Sequence, residues 1–397
     1  MRRRNFLKNS AFASSAILVP NFLQAYSPQQ IYKSRSEKIL VVIQLSGGND
    51  GLNTIIPYRN DVYYKKRPTL AIGKEEVLKV GEELGFNPSL AALQPLYENG
   101  EMTIINSVGY PNPDRSHFRS MDIWHTGSGS EDYWATGWLG RYLDSNCMDC
   151  LSPHHMLELD ESLSLAMKGE QRSGFAAENM NQLQRITKNR FLKAAAKYEH
   201  HHEEANVAYL YKTMIETQQS ANYLYEKSKT HKSEIAYPQD AFGKDLKQIA
   251  ELITADTDTR IYYVSLSGFD THAFQKNPQN HSLKRYADGV AAFVNDLKAN
   301  NLFQDVTILT FSEFGRRVKQ NASGGTDHGT ANNVFVMSGN LKNAGFYNAA
   351  PNLTDLENGD LKFEIDFRRV YSSLLEDWLN TDASKVLNAK FDKLRLV

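Results

Sequence analysis

The sequence predicts an α/β fold in which helices sandwich a mostly parallel β-sheet. Two apolar segments typical of buried strands, residues 261–267 and 306–311, flank a helical pattern over residues 282–300. A strand, a helix and a second strand in this order form the crossover unit of a parallel sheet. A third apolar run, residues 38–45, lacks the alternation of a half-exposed strand, so we expect it to be buried on both faces of the same sheet.

The composition is that of a globular protein and excludes some classes of partner. The chain has 397 residues, with 41% hydrophobic and 23% charged side chains, and its length is enough for one large α/β domain or two ordinary ones. Its net charge of −1 gives no support to nucleic-acid binding. After the N-terminus, no apolar run is long enough to span a membrane. We predict that residues 38–397 form a single domain.

Residues 1–25 have the pattern of an export signal. Consecutive arginines precede Phe6-Leu7-Lys8, a mildly apolar run follows, and Ala25 offers a cleavage point. The double arginine favours a twin-arginine signal peptide over an ordinary secretory signal. We therefore expect the twin-arginine export machinery as a partner and a periplasmic or secreted location. Residues 26–37 are predicted to be a polar linker.

The strand over residues 38–45 ends in a glycine-rich turn that leads to Asp50. Asn-Asp-Gly is ordinary turn chemistry, but a carboxylate at the end of a first central strand is also well placed to bind a ligand. The next strand, residues 102–106, is preceded by a helix that Pro88 begins. It leads to Ser116, which is expected at a helix N-terminus, either as a simple cap or as a nucleophile favoured by the helix dipole.

The middle and the end of the chain are predicted to cover the sheet. We expect a short helix over residues 136–143, strands over 154–159 and 163–167, and a polar helical insertion over about 176–256. Within the insertion, three adjacent histidines at 200–202 would point in different directions and are predicted to be solvated. Cys147 and Cys150 are spaced for a local disulfide or are idle thiols. A last strand, residues 334–337, and an amphipathic helix, residues 367–378, follow.

Acidic and histidine side chains follow several of the predicted strands. Since the carboxyl ends of parallel strands share one edge of a sheet, these side chains are expected to converge there. So many charges at one edge would be costly without a cation. Carboxylate and imidazole, without thiolate, suit zinc, manganese, calcium or magnesium. The predicted ligands of this divalent metal are Asp50, Asp270, His272, Glu313, Asp327 and His328.

The chain also resembles a family of exported bacterial proteins, the domain-of-unknown-function 1501 family. That family is similar in fold to the alkaline phosphatase and sulfatase superfamily. The resemblance covers nearly the whole chain. The segments that carry it, besides the twin-arginine start, are LSGGNDG (45–51), DRSHF (114–118), GFDTH (268–272), TFSEFGR (310–316), GTDHG (325–329), DFRRVY (366–371) and LEDW (375–378).

The resemblance to the superfamily implies roles by order along the chain. Asp50 would be the metal-binding aspartate of the first strand, and Ser116 the nucleophile at a helix start. Asp270 with His272, and later His328, would bind metal. The superfamily has an Asp-His pair where this chain has Glu313-Phe314, so one imidazole is missing, and His117 is the substitute that we consider. Arg316 is expected to bind an anionic group of the ligand or to pair with an acid.

Three functions fit these residues. The first is a metal-dependent hydrolase of phosphate or sulfate esters in which Ser116, His117 and Arg316 take part in catalysis. The second is a non-catalytic binding protein on the same fold, for a glycan or a protein partner. A phosphoryl-transferring mutase is a weaker third, since such enzymes usually act on cytoplasmic metabolites.

Overall fold

The structure is a computed structural model that describes residues 38–146, 152–195 and 205–397. The predicted signal peptide and linker, Cys147 and Cys150, and the three adjacent histidines lie outside the described residues. Within the described residues, every helix is too short or too polar to cross a lipid bilayer.

A nine-stranded mixed sheet forms the centre of the described part of the chain. The strands are β1 (Ile39–Ser46), β2 (Met102–Gly109), β3 (Met156–Glu158), β4 (Phe175–Ala176), β5 (Ile261–Ser267), β6 (Val306–Phe311), β7 (Asn332–Ser338), β8 (Gly345–Phe346) and β9 (Ile365–Asp366). Their order is β8-β2-β7-β6-β1-β5-β3-β4, with β9 beside β2. Strand β7 is antiparallel to both of its neighbours, and the other pairs are parallel. The predicted mostly parallel sheet is confirmed.

Strand β1 lies between β5 and β6, so the predicted crossover passes over the first strand of the chain. Its alternate side chains enter two separate hydrophobic cores, one on each face of the sheet. Val41 and Ile43 belong to one core, and Leu40 and Val42 belong to the other. A strand buried on both faces needs apolar residues at successive positions, which is why this segment lacks alternation.

Helices cover both faces of the sheet, as the fold class requires. The α-helices are α1 (Gly51–Thr54), α2 (Asp61–Lys66), α3 (Gln94–Glu98), α4 (His117–Thr126), α5 (Trp138–Asn146), α6 (Met180–Lys188), α7 (Arg190–Ala195), α8 (Ala205–Lys227), α9 (Ala241–Thr254), α10 (Lys276–Ala299), α11 (Phe367–Ser373) and α12 (Ala383–Leu387). Helices α9 and α10 pack on one face, and α4, α5 and α11 pack on the other. Four helices, α6 to α9, lie in the segment that was predicted as a helical insertion.

Several element boundaries differ from the prediction. The segment predicted as a strand over residues 163–167 contains a 3₁₀ turn, Leu165–Met167, and the strand expected over 154–159 is only Met156–Glu158. The helix expected after Pro88 begins as a 3₁₀ segment, Pro88–Leu93. The C-terminal helix ends in a π-helical turn, Leu374–Trp378. Short apolar runs do not distinguish a strand from a single helical turn, because both bury the same side chains.

Candidate metal centre

The loops that follow β1, β5 and β6 meet at one edge of the sheet. Gly47, which follows β1, has φ +119°, and a Cβ at this position would lie 2.4 Å from the backbone nitrogen of Asp270. A side chain is therefore excluded here by both conformation and space. The glycine allows the two loops to touch, and this contact fixes the backbone of Asp270 at the edge of the sheet.

Asp270 is the hub of a cluster of histidines. Its Oδ1 lies 3.0 Å from Nε2 of His272 and 3.3 Å from Nε2 of His328, and its Oδ2 lies 3.6 Å from Nε2 of His117. About half of the Asp270 side chain is exposed. His117, Asp270 and His328 each offer one ligand atom within 4.8 Å of the others, a grouping that could hold a metal ion. The sequence placed His117 among catalytic residues, and the structure places it in this group.

Glu313, which was predicted as a metal ligand, is not in this group and instead orients His117. Its buried carboxylate accepts a hydrogen bond from Nδ1 of His117 at 2.8 Å and another from the backbone nitrogen of Gly47 at 2.8 Å. The bond to Glu313 raises the pKa of His117. It also assigns the Nδ1 proton, so Nε2 of the neutral ring carries the lone pair. That Nε2 is buried and has no hydrogen-bond partner.

The imidazole of His328 is oriented in the same way, and the imidazole of His272 has a carboxylate close to its Nδ1. Nδ1 of His328 donates to the carbonyl oxygen of Arg115 at 2.8 Å, and Nδ1 of His272 lies 3.8 Å from a carboxylate oxygen of Asp327. Acceptors behind metal-binding histidines commonly fix the ring and its tautomer. Asp327, which was predicted as a ligand, lies on the outer side of His272 instead.

The charge states of His328 and Asp270 also suit a cation. Burial lowers the pKa of His328, which favours the neutral, metal-binding form. Although burial acts to raise it, the bonds from Arg316 and His328 lower the pKa of Asp270, so this carboxylate is ionised. Nε2 of His272 and Nε2 of His328 are only 2.9 Å apart. Two nitrogen lone pairs at this distance repel unless a proton or a cation lies between them. The donor set therefore fits a divalent metal.

Phe314 occupies the position where the superfamily resemblance implies a histidine. Its ring is buried and lies 4.9 Å from the ring of His117 and 4.6 Å from the ring of His328, measured between centroids. This side chain cannot bind a metal. It packs against two imidazoles and restricts their movement, which is a supporting role.

Asp50 is not brought into the cluster. Its carboxylate is fully buried, and Oδ2 is 2.5 Å from Nη1 of Arg67 and also accepts from Gln275. Arg67 is equally buried and donates further hydrogen bonds to Asn53 and to the carbonyl of Val318. Asp50 was predicted as a metal ligand, but its negative charge is balanced by the guanidinium of Arg67, seventeen residues later in the chain.

Arg316 is buried and holds loops together. It donates to Asp270 at 2.7 Å and to four backbone carbonyls, those of Gly47, Gly48, Phe269 and Thr326. A guanidinium enclosed in this way cannot contact a ligand from solvent. Its predicted role in binding an anionic group stays a prediction, and this placement does not favour it.

Ser116 is the N-cap residue of α4, directly before His117, and its side chain is exposed. Its hydroxyl makes no capping hydrogen bond, while its backbone nitrogen donates to Asp114 at 2.6 Å. A serine that does not cap its helix leaves the oxygen free at the positive end of the helix dipole. Glu313 also lines a cavity of about 210 Å³, together with Tyr110, Phe314 and Phe363.

Residues 74–389, most of the chain, match the model of the family described as "Protein of unknown function (DUF1501)". The chain belongs to this family. The matched range includes every histidine of the cluster together with Asp270, Glu313 and Ser116, whereas Asp50 and Arg67 precede it. Among curated proteins, none shows significant sequence similarity to this DUF1501 chain.

Several solved structures have a similar fold at low identity. PsFucS1 sulfatase from Pseudoalteromonas sp. is 10% identical, with a TM-score of 0.41, over 90% of this chain and 70% of that one. The lipoteichoic acid synthase LtaP from Listeria monocytogenes is 10% identical, with a TM-score of 0.36, over 82% and 72%. The C-terminal periplasmic domain of EcEptC from Escherichia coli, solved in complex with Zn, is 12% identical, with a TM-score of 0.37, over 77% and 74%. These likenesses are distant, so we infer activity from this chain's own residues.

Proposed function

We propose that this protein is an exported, metal-dependent hydrolase of phosphate or sulfate esters. The observation that carries the proposal is the convergence of imidazole Nε2 atoms on Asp270, with the rings of His117 and His328 held from behind by hydrogen bonds at Nδ1. An exposed serine without a capping bond directly precedes one of these histidines. Export through the twin-arginine pathway rests on the sequence of residues 1–25 and is part of the proposal.

His117, Asp270 and His328 would hold the metal, and His272 would complete the set. A site dominated by imidazole nitrogen favours zinc over calcium or magnesium, which prefer oxygen ligands. The site supports one ion rather than two, because the carboxylate of Asp50 is already neutralised by Arg67. When bound, such an ion polarises an ester oxygen and stabilises developing negative charge.

The chain's own residues then have distinct roles. Ser116 is the nucleophile: its Oγ loses its proton and forms a bond to phosphorus or sulfur while the bond to the ester oxygen breaks, and the leaving alcohol takes up a proton. Water later cleaves the enzyme ester and returns the proton to Oγ. Glu313 keeps the Nδ1 proton of His117 in place, so Nε2 keeps its lone pair towards Asp270. The carbonyl oxygen of Arg115 does the same for His328, and the carboxylate of Asp327 lies 3.8 Å from Nδ1 of His272. The amides at the start of α4 favour negative charge near Ser116.

Metal content tests the site first. The purified protein is loaded with zinc, manganese, calcium or magnesium, and bound metal is measured by elemental analysis. We expect close to one zinc per chain in the parent and at least a tenfold loss of affinity in Asp270→Ala and His328→Ala. His231→Ala and Asp288→Ala, which alter residues outside the cluster, serve as matched controls and should keep the metal. A parent that binds none of the four metals would refute the site.

Ester hydrolysis tests the chemistry. Aryl phosphate and aryl sulfate are offered to the zinc-loaded parent and to Ser116→Ala. We expect turnover of one of the two classes by the parent and a fall of at least a hundredfold in Ser116→Ala with unchanged metal content. A metal-loaded parent with no turnover of either class, but with tight binding of a glycan or a protein, would favour the non-catalytic alternative.

A further inference from the structure

Two arginines contact the same buried carboxylate near the histidine cluster. The side chain of Asp360 is 1% exposed, and it contacts Nη2 of Arg115 through Oδ2 and Nε of Arg317 through Oδ1, the latter at 3.6 Å. The arginine side chains are 40% and 35% exposed. Two cations and one anion leave a net charge of +1 in this triad. Glu357, another acid whose charge acts on Asp360, forms no ion pair with either arginine in the described part of the chain.

The carboxylate is held in place by a tight hairpin. Residues Leu356–Glu357 and Asp360–Leu361 pair as antiparallel strands, and the two residues between them, Asn358 and Gly359, have φ +53° and +90°. Asn-Gly with positive φ at both positions is the preferred two-residue hairpin connection. Asp360 is therefore a fixed anchor, and the two guanidinium groups are positioned by it rather than by solvent.

The neighbouring arginines have no capacity left for a ligand. Arg67 and Arg316 have fully buried side chains, and backbone carbonyls and carboxylates surround both groups. Arg115 and Arg317 differ from them in exposure and in charge balance. In the described part of the chain, Asp360 is the one acidic partner of both.

The same two arginines are attached to the cluster through the main chain. The carbonyl oxygen of Arg115 accepts from Nδ1 of His328, and Arg115 directly precedes Ser116. The backbone nitrogen of Arg317 donates to the carbonyl of Asp327 at 3.1 Å. Both residues thus lie one hydrogen bond away from residues 327–328, on the segments that form the edge of the cluster.

We propose that Arg115 and Arg317, held by Asp360, form the anion-binding site that recognises a tetrahedral oxyanion of the ligand next to the cluster. This assignment rests on the proposed function for its substrate class, a phosphate or sulfate ester. A planar guanidinium presents paired N–H donors that match phosphate or sulfate oxygens, and an exposed face of each group remains for them. The role predicted for Arg316 therefore belongs to its neighbours.

Binding of sodium sulfate and of sodium phosphate to the zinc-loaded protein tests the assignment by isothermal titration. We expect the affinity for at least one of the two anions to fall about tenfold in Arg115→Gln and in Arg317→Gln, with unchanged zinc content. Single variants are used because each leaves Asp360 with one cation. Arg115→Lys and Arg317→Lys keep the charge and should recover part of the affinity. Arg59→Gln, a change at an exposed arginine outside the triad, should bind like the parent.

The outcomes separate this inference from the proposed hydrolase activity. Anion affinity that depends on both arginines, without any ester turnover, supports the anion site and refutes the hydrolase. Ester turnover with anion affinity that is unchanged in both glutamine variants refutes the anion site alone. Loss of zinc from both glutamine variants and both lysine variants would also refute the anion site, because the triad would then serve only to hold the histidine cluster in place.

Discussion

Asp50 and Asp270 follow neighbouring parallel strands at the same edge of the sheet, yet their surroundings are opposite. The carboxylate of Asp50 is fully buried and paired with a fully buried arginine. The carboxylate of Asp270 is half-exposed and faces the Nε2 atoms of His117, His272 and His328. The first pair is closed to any ligand, and the second group is open. The position of an acid at a strand end is therefore not enough to identify it as a metal ligand. The identity of the group that neutralises its charge is what distinguishes the two cases.

A third strand-end acid extends the comparison. Glu158 ends β3, and its side chain is buried and forms no ion pair within the described part of the chain. Burial raises its pKa to about 7, and the backbone nitrogen of Ser164 donates to its carboxyl group at 2.7 Å. The three acids thus meet the cost of burial differently: a guanidinium balances Asp50, a proton balances Glu158, and exposure with nearby imidazoles suits Asp270.

The largest effect is expected where the buried pair is broken. Asp50→Asn leaves the guanidinium of Arg67 buried without a counter-charge, so we expect the free energy of unfolding to fall by about 3–5 kcal/mol. Asp270→Asn removes a half-exposed charge and keeps an oxygen for Arg316, so a loss of about 1 kcal/mol is expected. Urea denaturation of both variants without added metal provides the measurement.

A double variant tests the reason for that loss. Replacing the pair by Asp50→Leu with Arg67→Met removes both charges, and it should restore much of the stability lost in Asp50→Asn. Equal losses of stability in Asp50→Asn and Asp270→Asn would contradict the distinction between a closed and an open site.

Glu158 gives an intermediate effect that depends on pH. Its folded-state pKa of about 7 lies above the ordinary value of 4.5. The stability that the protonated group contributes is therefore present below about pH 4.5 and is lost as pH rises through about 7. Glu158→Gln cannot ionise, so relative to this variant the parent should lose on the order of 1–3 kcal/mol between those values. Denaturation of both proteins at several pH values provides the difference, and a pH-independent difference would refute the raised pKa.

The smallest effect is expected at Phe274, in the open region. This residue has φ +49°, its side chain is 84% exposed, and its backbone nitrogen donates to the carbonyl of Ser323. Asparagine tolerates this left-handed conformation better than phenylalanine or alanine. Phe274→Asn should therefore raise the free energy of unfolding by about 0.5–1 kcal/mol, whereas Phe274→Ala should change it little. A gain in Phe274→Ala as large as in Phe274→Asn would mean that side-chain exposure, rather than backbone strain, is relieved.

The sheet could be predicted from sequence because its central strands are apolar at successive positions. The helix between β5 and β6 and the parallel direction of these strands follow from that pattern and from crossover geometry, whereas the position of β1 between them was not predicted. The antiparallel direction of β7 could not be predicted, since a short buried strand has the same composition in either direction.

The candidate centre could be predicted only in part. Asp270, His272 and His328 were expected there because each lies at or after a strand end. The pairing of Asp50 with Arg67 depends on a contact across a loop, and no periodicity signals it. The same holds for the Nδ1 bond between Glu313 and His117, which makes the acid a support and places the histidine in the cluster. The anchor Asp360 was missed, although an Asn-Gly turn beside an acid was the available signal.

The position of β1 between β5 and β6 also affects how the chain is synthesised and folded. Leu40 pairs with Ile261 and Ile39 pairs with Val306, so β1 is synthesised more than 200 residues before either of its neighbouring strands. Until residues 306–311 have emerged, one edge of a fully apolar strand has no partner, and an unpaired edge invites association with other chains. Folding of the sheet centre must therefore wait for most of translation, and a fragment that ends before Val306 should aggregate rather than form a smaller domain.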